Sequence, residues 1–197
     1  MILYLHGFRS SPLSMKARLT GERMAQLGRS AEFLAPQLPA SPKLALELAF
    51  GLVRDVPAEQ LAIVGSSLGG YYATWMAERL GCRAVLLNPA TAPLQDLEKY
   101  VGVSTEYHSD RPFEFKREYI EELRALALPR ISRPERYFLI GATGDEVLDY
   151  RDMVAHYAGA RQHIIQGSDH SITEYAAYLT DVLAFCGIDA HPAGGAQ

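Results

Sequence analysis

The sequence predicts an α/β fold built on a mostly parallel six-stranded sheet with helices on both faces. Short, continuously apolar runs recur along the chain, as strands buried on both faces do. Segments of helical periodicity separate most of them. Between the run Leu61-Ala62-Ile63-Val64 and a helix-prone run from Gly70 to Ala77 stand five residues, Gly65-Ser66-Ser67-Leu68-Gly69, which read as strand, sharp turn, helix.

Each element has a local reason. Ile2-Leu3-Tyr4-Leu5 is the first strand. A helix follows from near Ser11-Pro12, with Leu13, Ala17, Met24 and Leu27 on one face and Gly28 as its stop. After a second strand at 32–35, Ser41-Pro42 opens another helix, with serine as cap and proline in the first turn. This helix places Leu44, Leu48 and Leu52 on one stripe. The third strand, 61–65, leads through Ser67 into a helix ending at Gly81, and strands at 84–88, 136–141 and 162–166 complete the sheet. Near the C-terminus Ser171-Ile172-Thr173-Glu174 reads as a capping box. It opens a helix with Tyr175, Tyr178, Leu179, Val182 and Phe185 inward and Gly187 as its stop. With the second strand outside the first and the third on its other side, the strand order is 2-1-3-4-5-6. The reversal between the first and third strands is then a switch point, where ligands bind in open sheets.

From Pro89 to about Pro134 the rhythm breaks. No strand is expected there, 101–112 reads as loop, and a helix is expected at about 116–128. The aromatic residues Tyr100, Tyr107, Phe113, Phe115 and Tyr119 gather in this stretch. Two readings stand: a packed surface excursion, or a small lid whose side chains, Tyr100 and Phe113 among them, bind substrate. At 197 residues the chain suits one core, so a single domain is expected over 1–187, with 89–134 as a lid-like insertion and 188–197 as a flexible tail.

Composition narrows the function. Hydrophobic residues at 48% and charged residues at 21% are ordinary for a globular protein and exclude a fibrous or disordered chain. The net charge of -4 gives no broad electrostatic reason to bind nucleic acid or anionic lipid. The cysteines, Cys82 and Cys186, are too few for a disulfide framework or a zinc motif and read as buried small hydrophobes. The first strand begins at once, leaving no room for a signal peptide, and no apolar stretch is long enough to cross a bilayer. A cytoplasmic location is the expectation, with no metal and no cofactor; the oligomeric state is not readable.

The five-residue turn has the layout of a nucleophile elbow, in which the central residue is forced into a strained conformation and its neighbours two before and two after crowd together. Gly65 and Gly69 remove that clash and leave the Ser67 hydroxyl projecting from the sheet edge. A serine needs a base to take its proton, and the base needs a carboxylate to orient it. In folds with such an elbow the chain order is Ser, acid, His. Gly167-Ser168-Asp169-His170 follows the last strand and Gly144-Asp145 follows the strand before it, so both loops leave the sheet edge from which Ser67 emerges. His108, His156, His163 and His191 fall in the insertion, a helix, a strand and the tail, which leaves His170 as the base. Asp145 is best placed as the acid; Glu146 and Asp149 stand close by, and Asp149 also suits the N-cap of the next helix.

An acyl-transfer intermediate carries negative charge on the former carbonyl oxygen, so backbone donors must be aimed at it in advance. The Leu68 amide, at a helix start, is one candidate. The second is the Phe8 amide in His6-Gly7-Phe8, where Gly7 permits a close backbone approach and His6 braces the loop.

The runs His6-Gly7-Phe8-Arg9-Ser10-Ser11-Pro12, Pro36-Gln37-Leu38-Pro39, Gly65 through Trp75, Asn88-Pro89-Ala90 and Thr143-Gly144-Asp145-Glu146-Val147-Leu148-Asp149-Tyr150 together resemble the small bacterial esterases of the YqiA type. The resemblance implies a compact α/β-hydrolase without cofactor, an esterase or thioesterase, with Ser67, Asp145 and His170 as its triad. One departure is Gly-Ser-Asp-His in the loop after the last strand, where the family pattern is Gly-Gly-Asn-His. Asp169 beside His170 either raises the proton affinity of the imidazole or points to solvent. The reaction read here is hydrolysis of carboxylic esters with short acyl chains, so the partner is a small-molecule ester or thioester. An acyl-CoA thioesterase, hinted at by Arg130, Arg133 and Arg136, is one alternative. A non-catalytic binding protein that keeps the fold is another.

Overall fold

The computed structural model describes residues 1–93, 97–107 and 111–189. Six strands form its main sheet: β1 Ile2–Leu5, β2 Phe33–Leu34, β3 Ala62–Ser66, β4 Arg83–Leu87, β7 Tyr137–Ala142 and β8 Arg161–Ile165. Their order is β2-β1-β3-β4-β7-β8, and every pairing is parallel. One detail differs from the expected order. The last two sheet strands are the seventh and eighth of the chain, because the insertion supplies an antiparallel hairpin, β5 Gly102–Thr105 and β6 Pro112–Phe115. The expectation of loop over 101–112 fails at 102–105 and at 112, which are strand, while residues 108–110 lie outside the described residues. The hairpin's mark in sequence is one alternation, Phe113-Glu114-Phe115, which is too short to stand out from an irregular aromatic stretch.

The apolar strands are buried on both faces, and successive side chains go to opposite sides. In β1, Leu3 and Leu5 join Ile63, Leu86 and Leu139 under one helical layer. Ile2 and Tyr4 join Val64, Val85 and Ile140 under the other. The first layer contains α2 Pro42–Val53, α3 Leu68–Leu80, α4 Glu118–Arg124 and α5 Tyr150–His156. The second contains α1 Met15–Gln26 and α6 Leu179–Phe185.

Helix ends or inward faces depart from expectation in three places. Leu13 precedes α1 and is 67% exposed, so the inward face of α1 is Ala17, Thr20 and Met24. In α2 the Ser41 hydroxyl accepts from the Leu44 amide as expected of a cap, but Leu44, Leu48 and Leu52 face outward. Ala45 and Ala49 face inward instead, where their small side chains let the helix pack against α3 and α4. The capping box at Ser171 does not form: Glu174 accepts from the Ser168 hydroxyl, Ile172 has a φ of 49°, and the helix begins only at Leu179. Tyr175 is still inward, through a short turn of 3-10 helix.

Of the expected tail, Ile188 is buried and donates its N–H to Leu183 O at 2.9 Å, because Gly187 at φ 79° turns the chain back over α6. Residues 190–197 lie outside the described residues. Among the described residues no helix is long and apolar enough to cross a membrane.

Both cysteines are buried, which pushes the Cys82 thiol up to about 11 and the Cys186 thiol up to about 12. Neither is a thiolate near neutrality. A thiol titration with a disulfide reagent at pH 8 is expected to give no reaction from folded protein and two equivalents after denaturation.

Candidate active site

Ser67 terminates β3 and starts α3 with φ 53° and ψ -121°, a conformation that is costly for any residue with a side chain. The strain is held by fixed contacts. The Ser67 amide donates to Leu87 O at 3.0 Å, and its carbonyl accepts from the Gly70 and Ala90 amides at 2.9 and 3.0 Å. Glycines make this packing possible. A Cβ on Gly65 would lie 2.3 Å from Gly69 O, the crowding expected from the sequence. A Cβ on Gly69 would instead meet β1, 2.0 Å from Leu5 O and 2.7 Å from His6 O.

Gly69→Ala must therefore move the loop that follows β1. It is expected to destabilise the protein by about 3 kcal/mol, near the top of the usual range for overpacking. Gly51→Ala, with nothing within 4 Å of the new Cβ, is the control and is expected to stabilise α2 slightly. Thermal unfolding of the two variants checks the contrast.

His170 comes from the loop after β8. Its Nε2 stands 3.1 Å from Ser67 Oγ, and its Nδ1 stands 2.8 Å from Asp145 Oδ2. The Asp145 side chain is fully buried, and its other oxygen accepts from the Val147 and Leu148 amides at 2.8 and 2.9 Å. An ionised carboxylate only accepts hydrogen bonds, so the imidazole proton sits on Nδ1 and Nε2 is left to accept from the Ser67 hydroxyl. Of the competing acids, Asp149 caps α5 by accepting from the Arg151 amide. Glu146 accepts from the backbone N–H of His170 at 3.0 Å, tethering the loop without touching the ring. The Asp169 carboxylate accepts from the Thr173 amide at 3.2 Å. Among the other histidines, His156 is in α5 and His163 in β8; His108 and His191 lie outside the described residues.

Across the switch point between β1 and β3, Gly7 lies against the serine: a Cβ there would be 3.2 Å from Ser67 Cβ. The Phe8 and Leu68 amides meet no backbone acceptor among the described residues. His6 braces this loop, with Nδ1 2.9 Å from Gly7 O and Nε2 accepting from the Leu38 amide at 3.0 Å. A cavity of about 630 Å³ opens over the site, lined by Ser67, His170, Phe8, Leu68, Tyr100 and Leu148 among others. The arrangement can accept a hydroxyl proton at His170 Nε2 from Ser67 Oγ.

The family described as Uncharacterised protein family (UPF0227) matches residues 1–187. The chain belongs to the UPF0227 family. This is the YqiA-like family that the sequence motifs resemble. Among solved structures the chain is similar to one described with LipS and LipT, two metagenome-derived lipolytic enzymes. Identity is 18% and the TM-score 0.69, covering 94% of this chain and 92% of that one. Mouse alpha/beta hydrolase domain-containing protein 10 matches at 16% identity and TM-score 0.66, with 93% and 89% covered. Est1E from Butyrivibrio proteoclasticus, solved with ferulic acid bound, matches at 14% and 0.61, with 92% and 85% covered. At these identities the likeness shows the fold, an α/β-hydrolase fold.

The insertion of this UPF0227 chain walls the cavity through Leu97, Lys99, Tyr100 and Tyr107. Phe113, expected beside Tyr100 in contact with substrate, does not line this cavity. It packs edge-on against the Phe8 ring at 5.1 Å, and Phe115 meets the same ring at 5.1 Å. Position 113 is paired with Ser104 in the hairpin. The arginines that hint at an acyl-CoA also stand apart from this cavity. Arg130, Arg133 and Arg136 precede β7, whereas the site follows it, roughly 20 Å along a strand of this length. None of the three lines the cavity.

Two residues were missed by sequence reasoning as parts of the site. Asn88, fully buried with φ 43°, donates through Nδ2 to the Asp169 and His170 carbonyls and accepts at Oδ1 from the Ala142 amide. It thus ties the histidine loop to the end of β7. The available signal was an asparagine at the carboxyl end of a central strand, a residue type that tolerates positive φ. The other is Lys16, buried at the cavity wall. Among the described residues no cluster of three or more His, Cys, Asp or Glu side chains is placed to hold a metal ion.

Proposed function

We propose that the protein is a serine hydrolase of carboxylic esters with Ser67, His170 and Asp145 as its triad. The observation that carries this reading is the unbroken series from Asp145 through His170 to Ser67 Oγ, opening on a cavity. His170 Nε2 takes the hydroxyl proton as Oγ attacks the ester carbonyl, and the charge gathering on the carbonyl oxygen is received by the Phe8 and Leu68 amides. Collapse expels the alcohol, which receives the proton from His170 and leaves an acyl-serine. Water, deprotonated by the same nitrogen, then releases the acid and restores Ser67.

The acyl group is short. Lys16, Ser10 and Ser14 interrupt a wall that is otherwise largely apolar, which shortens the unbroken surface open to an alkyl chain. The lipolytic neighbour and the neighbour solved with ferulic acid are in keeping with ester chemistry. The insertion acts as a small lid, since it closes one side of the cavity with Tyr100 and Tyr107.

A series of p-nitrophenyl esters of increasing chain length, set against acyl-CoAs, tests this reading. Turnover should peak at short esters and exceed that of any acyl-CoA. Hydrolysis confined to acyl-CoAs would overturn the ester assignment, and no hydrolysis of either would overturn the reading itself.

A further inference from the structure

The N-terminal end of α1 opens on the same cavity as Ser67 and His170, through Ser14, Met15 and Lys16. Its chemistry is unusual for a buried helix end. Ser14 Oγ is buried within reach of the Tyr4 phenol and does not cap the helix. No acidic side chain occupies the first turn, and the Met15, Lys16 and Ala17 amides meet no backbone acceptor among the described residues. Lys16, 8% exposed, donates one hydrogen bond to Ser171 O at 2.7 Å. No carboxylate stands at ion-pair distance from it among the described residues. An ammonium has three donors, so two remain.

Burying a cation on one hydrogen bond, with no carboxylate at ion-pair distance, is unfavourable, and the usual resolution is an anion brought to it. We propose that this helix end is a carboxylate subsite, so that the preferred ester carries a second, free carboxylate separated from the scissile carbonyl by several bonds. The proposal rests on the hydrolase reading above and names its substrate class. Lys16 supplies the full charge, Ser14 Oγ a hydroxyl donor, and the first-turn amides the positive end of the helix.

One cation, one hydroxyl and a helix end match a planar monoanion. The nearby acids are already engaged: Asp145 with His170, Asp169 with the Thr173 amide, and Glu146 with the His170 amide. Burial pulls the Lys16 ammonium down to about 8, even though Asp169 and Asp145 favour its charged form. It is still mostly charged at neutral pH, and a bound carboxylate would hold it so.

The test compares ethyl half-esters of dicarboxylic acids from succinate to suberate with ethyl esters of monoacids of equal length. At one chain length the half-ester should win in kcat/KM by roughly tenfold or more, the scale of one charge-assisted hydrogen bond. In Lys16→Met that ratio should fall to near one, and in Ser14→Ala it should fall part of the way. A ratio near one in the unaltered protein overturns the subsite. So does a loss in Lys16→Met that is equal for both esters, since that would make Lys16 only a support for the Ser171 loop.

Should Lys16→Met fail to fold, Ser14→Ala and product competition decide: adipate should slow fluorophosphonate labelling of Ser67 more than hexanoate does, and equal slowing counts against the subsite. If Ser67 takes no fluorophosphonate and no ester is cleaved, the hydrolase reading fails and the subsite falls with it. If Ser67 reacts but the half-esters gain nothing, the subsite alone is overturned.

Discussion

Replacing Ser67 by alanine is expected to lower ester turnover by about a million-fold while the protein stays folded. The loss is large because, on the proposed mechanism, Ser67 Oγ, 3.1 Å from His170 Nε2, forms the acyl intermediate. The rest of the site does not depend on that oxygen. Asn88 and Glu146 hold the His170 loop through its backbone, and Asp145 holds the ring. An alanine at the elbow would still need φ near 53°, so the strain remains and stability should change little. Steady-state kinetics on a short p-nitrophenyl ester, with thermal unfolding alongside, checks both halves. A loss below tenfold would remove Ser67 from the chemistry.

Asp145→Asn is expected to lower kcat by about ten-thousand-fold through the wrong histidine tautomer. The geometry forces this outcome. One side-chain oxygen faces two backbone donors, the Val147 and Leu148 amides, so the carbonyl of an asparagine must take that position. Its NH2 is then directed at Nδ1 of His170, 2.8 Å from the present carboxylate oxygen. Nδ1 has to accept, the ring proton moves to Nε2, and the nitrogen facing Ser67 can no longer receive a proton. Crystal geometry should hardly change while kcat collapses. A variant within tenfold of the parent enzyme would place the orienting acid elsewhere.

The sheet was legible because its strands are buried on both faces and therefore read as unbroken apolar runs, as in Ile2-Leu3-Tyr4-Leu5 and Phe138-Leu139-Ile140. The elbow was legible because its sterics admit little except glycine at 65 and 69. His170 and Asp145 followed from chain order and loop position. What escaped has physical reasons. The leucines of α2 suggest the inward face, yet close packing there needs Ala45 and Ala49, so size and burial point to opposite sides. The hairpin β5–β6 is short and mostly exposed, which leaves little pattern. Phe113 packs edge-on against the Phe8 ring from a hairpin whose pairing is invisible in sequence. Asn88 and Lys16 act through backbone partners, and a lone lysine in sequence reads as a solvated one.

The central claim is that Ser67 Oγ is a nucleophile activated by His170. Incubation with a fluorophosphonate followed by peptide mass spectrometry tests it most directly. The expected result is one adduct per chain, on Ser67, with labelling abolished in Ser67→Ala and slowed by orders of magnitude in His170→Ala. An unlabelled folded protein, or an adduct on a different serine, would contradict the account.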